Sequence, residues 1–176
     1  SMNYQFARLY AISSVWSDHV MHPAAAALMR DRLSIPPEPP PAADRRIGLV
    51  RIGEGRNIAN LDAVNALLQA RGFTFHTVGA MPFAEQVRLF RSASLVFAIL
   101  GSDLAGLIYA PEGVRLVTVA PRVFGDRFFY ALLVDRKGRY ADLRGPIGEL
   151  NPVVEHRSSF HIDASEIAKA LDALDG

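Results

Sequence analysis

Apolar positions along the chain follow two spacings, and from residue 45 onward the two alternate regularly. Runs of consecutive apolar residues predict buried strands, and apolar residues at three- and four-residue steps predict amphipathic helices. The predicted strands are Ile47–Ile52, Phe73–Val78, Leu95–Leu100, Val114–Ala120 and Arg139–Leu143. The predicted helices are Ile58–Arg71, Pro82–Ser92, Leu104–Tyr109 and Ala164–Leu174. Residues 127–134 fit either a helix or a strand. Short strands joined by helical crossovers indicate an α/β domain with a Rossmann-like parallel sheet flanked by helices.

The first 44 residues follow a different pattern. Residues 4–13 predict a strand, and Pro23 is placed to open a helix that runs to about Arg30. A proline-rich stretch follows from Ile35 to Pro41, and it predicts an extended connector, because proline fixes φ and removes a hydrogen-bond donor. The predicted organisation is an N-terminal extension (1–34), a connector (35–44) and one Rossmann-like domain (45–176).

Charge and composition exclude several classes of protein. The 176 residues carry 19 basic and 18 acidic side chains, a formal net charge of +1, so no strong field attracts nucleic acid or an anionic membrane. The chain has no cysteine, which excludes disulfides and thiol nucleophiles. Its apolar runs are too short to span a bilayer, and the N-terminus lacks a signal-peptide pattern. We therefore expect a cytoplasmic protein without a transmembrane segment.

The junction at Gly101 is the strongest candidate for a binding site. The apolar run Leu95–Leu100 ends there, and a helix is predicted to begin at Ser102 and Asp103. Free backbone N–H groups in the first turn of a helix attract anions, and a glycine lets a ligand approach the backbone closely. The junction therefore suggests a phosphate or diphosphate site. The alternative is that Ser102 or Asp103 only caps the helix.

A second candidate lies in the loop after the strand Ile47–Ile52. The loop resembles the start of a dinucleotide fingerprint, with Gly53 and Gly55, but it lacks the third glycine. No acidic residue ends the next strand, where a dehydrogenase would bind ribose, so a dehydrogenase is not favoured. Arg51 and Arg56 remain, and guanidinium groups suit bidentate contacts with phosphate oxygens. The alternative makes both arginines surface charges.

Five short motifs together resemble glycosyltransferase family 61, whose members are also described as capsular polysaccharide biosynthesis proteins. The motifs are Arg51, Arg56-x-Ile58-x-Asn60, Gly72-Phe73, the segment Phe83 to Ala93, and Gly101 to Gly113 with its Ala110-Pro111-x-Gly113 ending. Each motif is weak alone, but their order and spacing agree over some sixty residues. The resemblance extends over roughly residues 45–172.

The resemblance implies one lobe of a two-lobed, GT-B-type glycosyltransferase that binds a nucleotide-sugar donor and transfers the sugar to a glycan acceptor. This chain departs from the family pattern at three positions. Leu100 stands where the family has histidine, Asp103 where it has glycine, and Gly106 where it has asparagine. The second lobe, which would bind the acceptor, has no counterpart in the sequence, so self-association is a further expectation.

The resemblance and the residues together give a set of candidate site residues. Arg51, Arg56, Asn60, Gly101 and Ser102 are assigned to the donor phosphates, with Asn60 positioning the first loop, and Asp103 is the candidate catalytic carboxylate. Further candidates are Glu85, Gln86, Glu112 and Arg127. For Glu85 a helix-start role is an equal explanation.

The remaining sequence signals are weaker. The aromatic group 124–130 could face a nucleobase or pack in the core. Two histidine pairs, His19 with His22 and His156 with His161, lack a third ligand, so neither a metal nor an organic cofactor is expected.

Two functions remain open on the sequence. The first is a glycosyltransferase domain that binds a nucleotide sugar during surface or capsular polysaccharide synthesis. The second is a non-enzymatic binding or interaction module that keeps the fold and has lost the chemistry, as Leu100 and Asp103 suggest.

Overall fold

A computed structural model of the chain describes residues 16–17, 20–32, 45–49, 56–152 and 154–176. The strands are β1 Trp16–Ser17, β2 Val20–Met21, β3 Arg46–Leu49, β4 Phe73–His76, β5 Leu95–Ile99, β6 Arg115–Pro121 and β7 Arg139–Gly145. The α-helices are α1 Pro23–Arg32, α2 Leu61–Ala70, α3 Phe83–Ser92, α4 Phe128–Asp135 and α5 Ala164–Asp175. Three 3-10 helices are Val78–Ala80, Ser102–Tyr109 and Glu155–Arg157.

Five of the strands form one parallel sheet in the order β4-β3-β5-β6-β7. The first residues of β3, β6 and β7, which are Arg46, Arg115 and Arg139, lie at one edge of this sheet, the amino edge. The last residues lie at the opposite edge, the carboxyl edge. β3 has β4 on one side and β5 on the other. The strand order therefore reverses at β3.

The sheet is buried on both faces, and each face has its own apolar cluster. On one face, α2 and α5 pack through Val64, Leu68, Ile167 and Leu171. On the other face, α1, α3, α4 and the helix Ser102–Tyr109 contribute the second cluster. All five residues of β5 are buried, as expected for a central parallel strand. The predicted Rossmann-like parallel sheet with flanking helices is confirmed.

One local prediction needs correction, and one open choice is decided. The helix predicted from Ile58 begins at Leu61, because the preceding residues pair with another segment: Ala59 N–H donates to the Phe160 carbonyl at 2.7 Å. Residues 127–134, which fitted either a helix or a strand, lie mostly in α4. The predicted strand at residues 4–13, the connector 35–44 and the end of the strand after Leu49 lie outside the described residues.

The N-terminal segment packs on the same domain. Ala26 of α1 is buried in the second apolar cluster, and Arg30 of α1 forms an ion pair with Asp135 of α4 at 2.6 Å. β1 and β2 form a small antiparallel hairpin before α1, which the sequence pattern did not indicate. Within the described ranges, every helix is too short or too polar to cross a lipid bilayer.

Candidate functional site

Open α/β sheets bind ligands in a crevice at the carboxyl edge where the strand order reverses, which in this sheet is between β3 and β5. α2 follows β3 and packs on one face, whereas the helix Ser102–Tyr109 follows β5 and packs on the other face. The connections after β3 and β5 therefore diverge, and open α/β sheets bind ligands between such diverging connections. Gly101 lies on one side of this crevice, directly beyond β5. Arg51, expected on the other side, lies outside the described residues.

The helix Ser102–Tyr109 begins at the crevice without a side-chain cap. Its N-cap residue is Gly101, which is buried and has no side chain to offer, so neither Ser102 nor Asp103 is the N-cap residue. The first hydrogen bond of the helix runs from Leu104 N–H to the Gly101 carbonyl at 3.0 Å. The helix itself therefore does not use the amides of Ser102 and Asp103, and such amides attract anions.

Arg56 reaches across the end of β5. It belongs to the connection between β3 and α2, yet its guanidinium carbon lies 3.8 Å from the ring centroid of Phe124, which follows β6. Because β5 lies between β3 and β6, this contact spans the strand that leads into Gly101. Arg56 is only 8% exposed, so the ring fixes a positive charge at the carboxyl edge.

A polar network extends from Phe124 to the middle of β7. Arg144 donates from Nη1 to the Phe124 carbonyl and from Nε to Oδ2 of Asp142 at 2.8 Å. The other oxygen of Asp142 accepts a hydrogen bond from the hydroxyl of Thr118 at 2.8 Å. The Tyr140 hydroxyl lies 2.7 Å from Thr118, and burial raises the pKa of Tyr140. The network therefore holds the turn that carries Phe124.

Asn60 ties the loop before α2 to the segment before α5. Its side-chain Nδ2 donates to the Ile162 carbonyl at 2.7 Å, and its Oδ1 accepts from Ile162 N–H at 3.1 Å. The side-chain amide of Asn60 thus hydrogen-bonds to Ile162 as a neighbouring backbone would, and both its N–H and its oxygen are used. This geometry suits a residue that positions the loop.

The chain matches the family model of glycosyltransferase 61 over residues 2–117, which is more than half of its length. The chain belongs to glycosyltransferase family 61. The matched residues include the N-terminal segment with α1 as well as β3, β4 and β5. No curated protein matches the chain.

Two departures from the family 61 pattern have a structural explanation. Leu100 is fully buried in the core beside α3 and α4, and its N–H donates to the Val119 carbonyl at 3.0 Å. Its side chain packs in the core and does not reach the crevice. Gly106 lies against Phe90, and a Cβ at this position would come within 2.2 Å of two ring atoms. Asparagine at 106 would therefore require Phe90 to move.

The other predicted residues are spread over both edges of this family 61 domain. Glu85 is exposed in the first turn of α3, and Gln86 donates to the Met81 carbonyl at 2.9 Å. Arg127 is exposed at the N-terminus of α4, on the carboxyl side. Glu112 lies before β6, at the amino edge, and the hydrogen bond from Lys137 at 3.0 Å lowers its pKa. The structure therefore does not bring Glu112 together with Gly101.

Two cavities adjoin the carboxyl edge. An apolar one of about 90 Å³ lies between α2 and the strands β3, β4 and β5, with Asn57 and Asn65 as its polar lining. A polar one of about 450 Å³ lies beyond β6 and β7, lined by Arg122, Asp142, Arg144, His161, Asp163 and Glu166. Within the described ranges, histidine, aspartate and glutamate form no group of three that could hold a metal ion.

Sequence reasoning missed Phe124, Asp142 and Arg144 as parts of the carboxyl edge. For Phe124 the signal was present, since the aromatic group 124–130 was singled out, but the nearer expectation was core packing or a nucleobase. Asp142 and Arg144 alternate with apolar residues along β7, a pattern that any half-exposed strand would show. Only the sheet order brings Arg144 to the turn that carries Phe124, the residue that Arg56 contacts.

Proposed function

We propose that this domain binds a cytoplasmic nucleotide-sugar donor, with the diphosphate at the carboxyl edge between β3 and β5, and serves the assembly of a surface or capsular polysaccharide. The observation that carries the proposal is the contact of Arg56 with Phe124 across the end of β5. Membership of family 61 supports the reaction class. In this proposal Arg51 and Arg56 neutralise the diphosphate, and the amides of Gly101 and Ser102 contact its oxygens.

In the proposed reaction, a nucleoside diphosphate departs from the anomeric carbon of the sugar. The acceptor hydroxyl attacks that carbon and loses a proton, and the bond to the diphosphate oxygen breaks with its electron pair. Negative charge therefore grows on the leaving group, where a fixed cation and helix amides stabilise it. Removing one donor of this kind typically costs about 2.7–4 kcal/mol of barrier.

Asp103 is the carboxylate nearest in sequence to these amides, and it is the proposed base for the acceptor hydroxyl. It is half-buried in the first turn of the helix Ser102–Tyr109. A carboxylate there is favoured by the helix dipole but repels a diphosphate. The acceptor itself would bind on a second lobe that faces this edge.

A second candidate function is a binding module without turnover. Leu100 favours it, because a leucine side chain, which here packs in the core, has no proton to exchange with a substrate. In this case the crevice still binds a nucleotide, but no sugar is transferred. The two functions are separated by release of nucleoside diphosphate from the bound donor.

Thermal unfolding in the presence of UDP-, GDP- and dTDP-sugars, with CMP-sugars as the comparison that carries one phosphate, tests the proposal. A ligand at 100 times its Kd adds about 2.7 kcal/mol of stability. For a domain of this size that corresponds to an increase of roughly 5–11 °C in Tm. We expect one nucleotide class to give this increase. No increase with any of the four classes would contradict donor binding.

A pair of arginine variants assigns the binding to the carboxyl edge. Arg56→Gln should remove most of the increase in Tm, because a charged partner of the diphosphate is lost. Arg115→Gln is the matched control, since Arg115 lies at the amino edge in an ion pair with Asp175 at 2.7 Å. It should lower the Tm slightly and leave the ligand-induced increase intact. Equal losses in both variants would contradict the assignment.

A further inference from the structure

We propose that Asp142 and Arg144 are positioning residues for the donor site: through the turn that carries Phe124, they set where the guanidinium of Arg56 lies. This inference rests on the proposed function, because the positioned group is the one assigned to the diphosphate. Neither Asp142 nor Arg144 belongs to the motifs that connect the chain to its family, and both lie beyond the matched residues 2–117.

The argument begins with the turn after β6. Phe124 N–H donates to the Pro121 carbonyl at 3.0 Å, which closes the turn, and the Phe124 carbonyl accepts from Arg144. Both backbone polar groups of Phe124 are therefore held. These bonds fix the backbone at Phe124, and its ring packs against the second apolar cluster, so the ring gives Arg56 a fixed platform.

The position of Arg144 is in turn set by Asp142. Nε and Nη2 of Arg144 both approach Oδ2 of Asp142, at 2.8 and 2.7 Å, while Nη1 points to Phe124. A planar guanidinium makes these contacts at once, whereas a lysine ammonium, a point charge on a flexible stem, does not reproduce them. Replacing arginine with lysine at 144 therefore keeps the charge and removes the fixed geometry.

The network ends at a residue that no ligand can reach. Thr118 is fully buried in β6, and its hydroxyl donates to Oδ1 of Asp142. Both oxygens of the carboxylate are thus held, one by Arg144 and one by Thr118. Thr118 can therefore affect a ligand only through the residues it contacts, of which Asp142 leads to Arg144 and Tyr140 does not.

The test measures two readouts on the whole chain, with the wild type and the variants Arg144→Lys and Thr118→Val. The first is the proton chemical shift of the Arg56 side chain, which the current of the Phe124 ring moves upfield. The second is the Kd of the nucleoside diphosphate (UDP, GDP or dTDP) that binds the wild type. Arg139→Lys is the matched control, because Arg139 lies on the same strand at the amino edge and donates to the Leu174 carbonyl at 3.0 Å.

We expect Arg144→Lys to move the Arg56 shifts toward those of an unfolded chain and to weaken binding about tenfold, the equivalent of about 1.4 kcal/mol. Thr118→Val should act in the same direction by about two- to threefold, since it removes one of the contacts to Asp142. Arg139→Lys should change neither readout. Combining Arg144→Lys with Phe124→Ala should weaken binding no more than Phe124→Ala alone.

Each result has a defined meaning. If Arg144→Lys leaves the Arg56 shifts and the Kd unchanged, the positioning role is wrong and the proposed function stands. If Arg144→Lys weakens binding while the Arg56 shifts stay constant, Arg144 contacts the ligand itself and the positioning role is again wrong. If the wild type binds none of the nucleoside diphosphates, the proposed function fails and the positioning role fails with it.

Discussion

The two edges of the sheet both carry arginines, but they use them differently. At the amino edge, Arg46 and Arg115 form ion pairs with Asp175 at the end of α5, at 3.1 and 2.7 Å. Arg139 donates to the carbonyls of Ala173 and Leu174 in the same last turn. Cations at the C-terminus of a helix are favoured by its dipole. The amino edge therefore uses its arginines to hold α5 on the sheet.

At the carboxyl edge, arginine lies among loops rather than against a helix end. Arg56 stacks on a ring, and Arg144 braces the turn behind that ring. Gly101 brings helix amides to the same edge. A concentration of positive charge and amide N–H groups is not needed to close the fold, because the α-helices are already packed through apolar residues. The comparison shows that the arginines of the amino edge contact a helix end, whereas those of the carboxyl edge surround the place proposed for the diphosphate.

The largest effect on stability is expected from a substitution in α5, and it separates the stabilising role of the amino edge from the proposed binding role of the carboxyl edge. Leu171 is fully buried between α5 and the sheet, and Leu171→Ala should lower the free energy of unfolding by about 2–5 kcal/mol. Its effect on nucleotide affinity, measured at a temperature where the variant is folded, should be absent. Urea unfolding and calorimetric titration check the two parts. A matching loss of affinity would mean that the two edges are not independent.

A second substitution tests whether the family histidine could be restored. Leu100→His should lower the free energy of unfolding by about 2–4 kcal/mol, because it places a polar imidazole at a fully buried core position. Leu100→Met, of similar volume, should cost less than about 1.5 kcal/mol. Both are measured by urea unfolding. If the histidine variant is as stable as wild type, residue 100 can face the crevice and the account of this strand is wrong.

A smaller effect is expected at the amino edge itself. Asp175→Asn removes the carboxylate that pairs with Arg46 and Arg115, and it should cost about 1 kcal/mol or less, because exposed ion pairs contribute little. The loss should shrink at high salt, since screening already weakens these pairs in the wild type. Thermal unfolding at two salt concentrations measures it. A salt-independent loss would indicate that packing, not charge, holds the end of α5.

The smallest effect concerns His76, at the carboxyl end of β4. Burial, and then the nearby charge of Arg45, lower its pKa from the usual 6.5. As the pH falls, His76 therefore binds a proton in the unfolded chain before it does so in the folded chain. The contribution of neutral His76 to stability is complete above pH 6.5 and is lost as the pH falls toward the folded pKa. Stability curves from pH 7.5 to 5 should fall less steeply for His76→Gln. Parallel curves would show that His76 does not titrate differently on folding.

Much of the fold could be predicted because burial leaves a plain signal in parallel sheets. The short, continuous apolar run Leu95–Leu100 predicts a buried strand, and Ile167 and Leu171 repeat at helical spacing. The start of α2 could not be predicted, because Ile58 fits a helical pattern yet pairs with Phe160, about a hundred residues later. The nature of the helix after Gly101, which is 3-10, has no sequence signal of its own.

The parts of the candidate site that depend on residues adjacent in sequence were predicted. The parts that depend on which strands are neighbours in the sheet were missed. Gly101 and Ser102 are recognisable as a strand-to-helix junction. Arg144 is not, because its contact with Phe124 exists only when β7 lies beside β6. Leu100 shows the reverse case: the motif draws attention to this position, but only the fold shows that the leucine packs in the core.

The most direct test of the account is a map of backbone amide shifts in the ¹⁵N-labelled chain during titration with the nucleotide sugar that raises the Tm most. The account predicts that the amides of Gly101, Ser102 and Phe124 shift together and saturate at one Kd, while those of Arg115 and Arg139 stay still. Shifts centred on the amino edge, or none at Gly101 and Ser102, would contradict it.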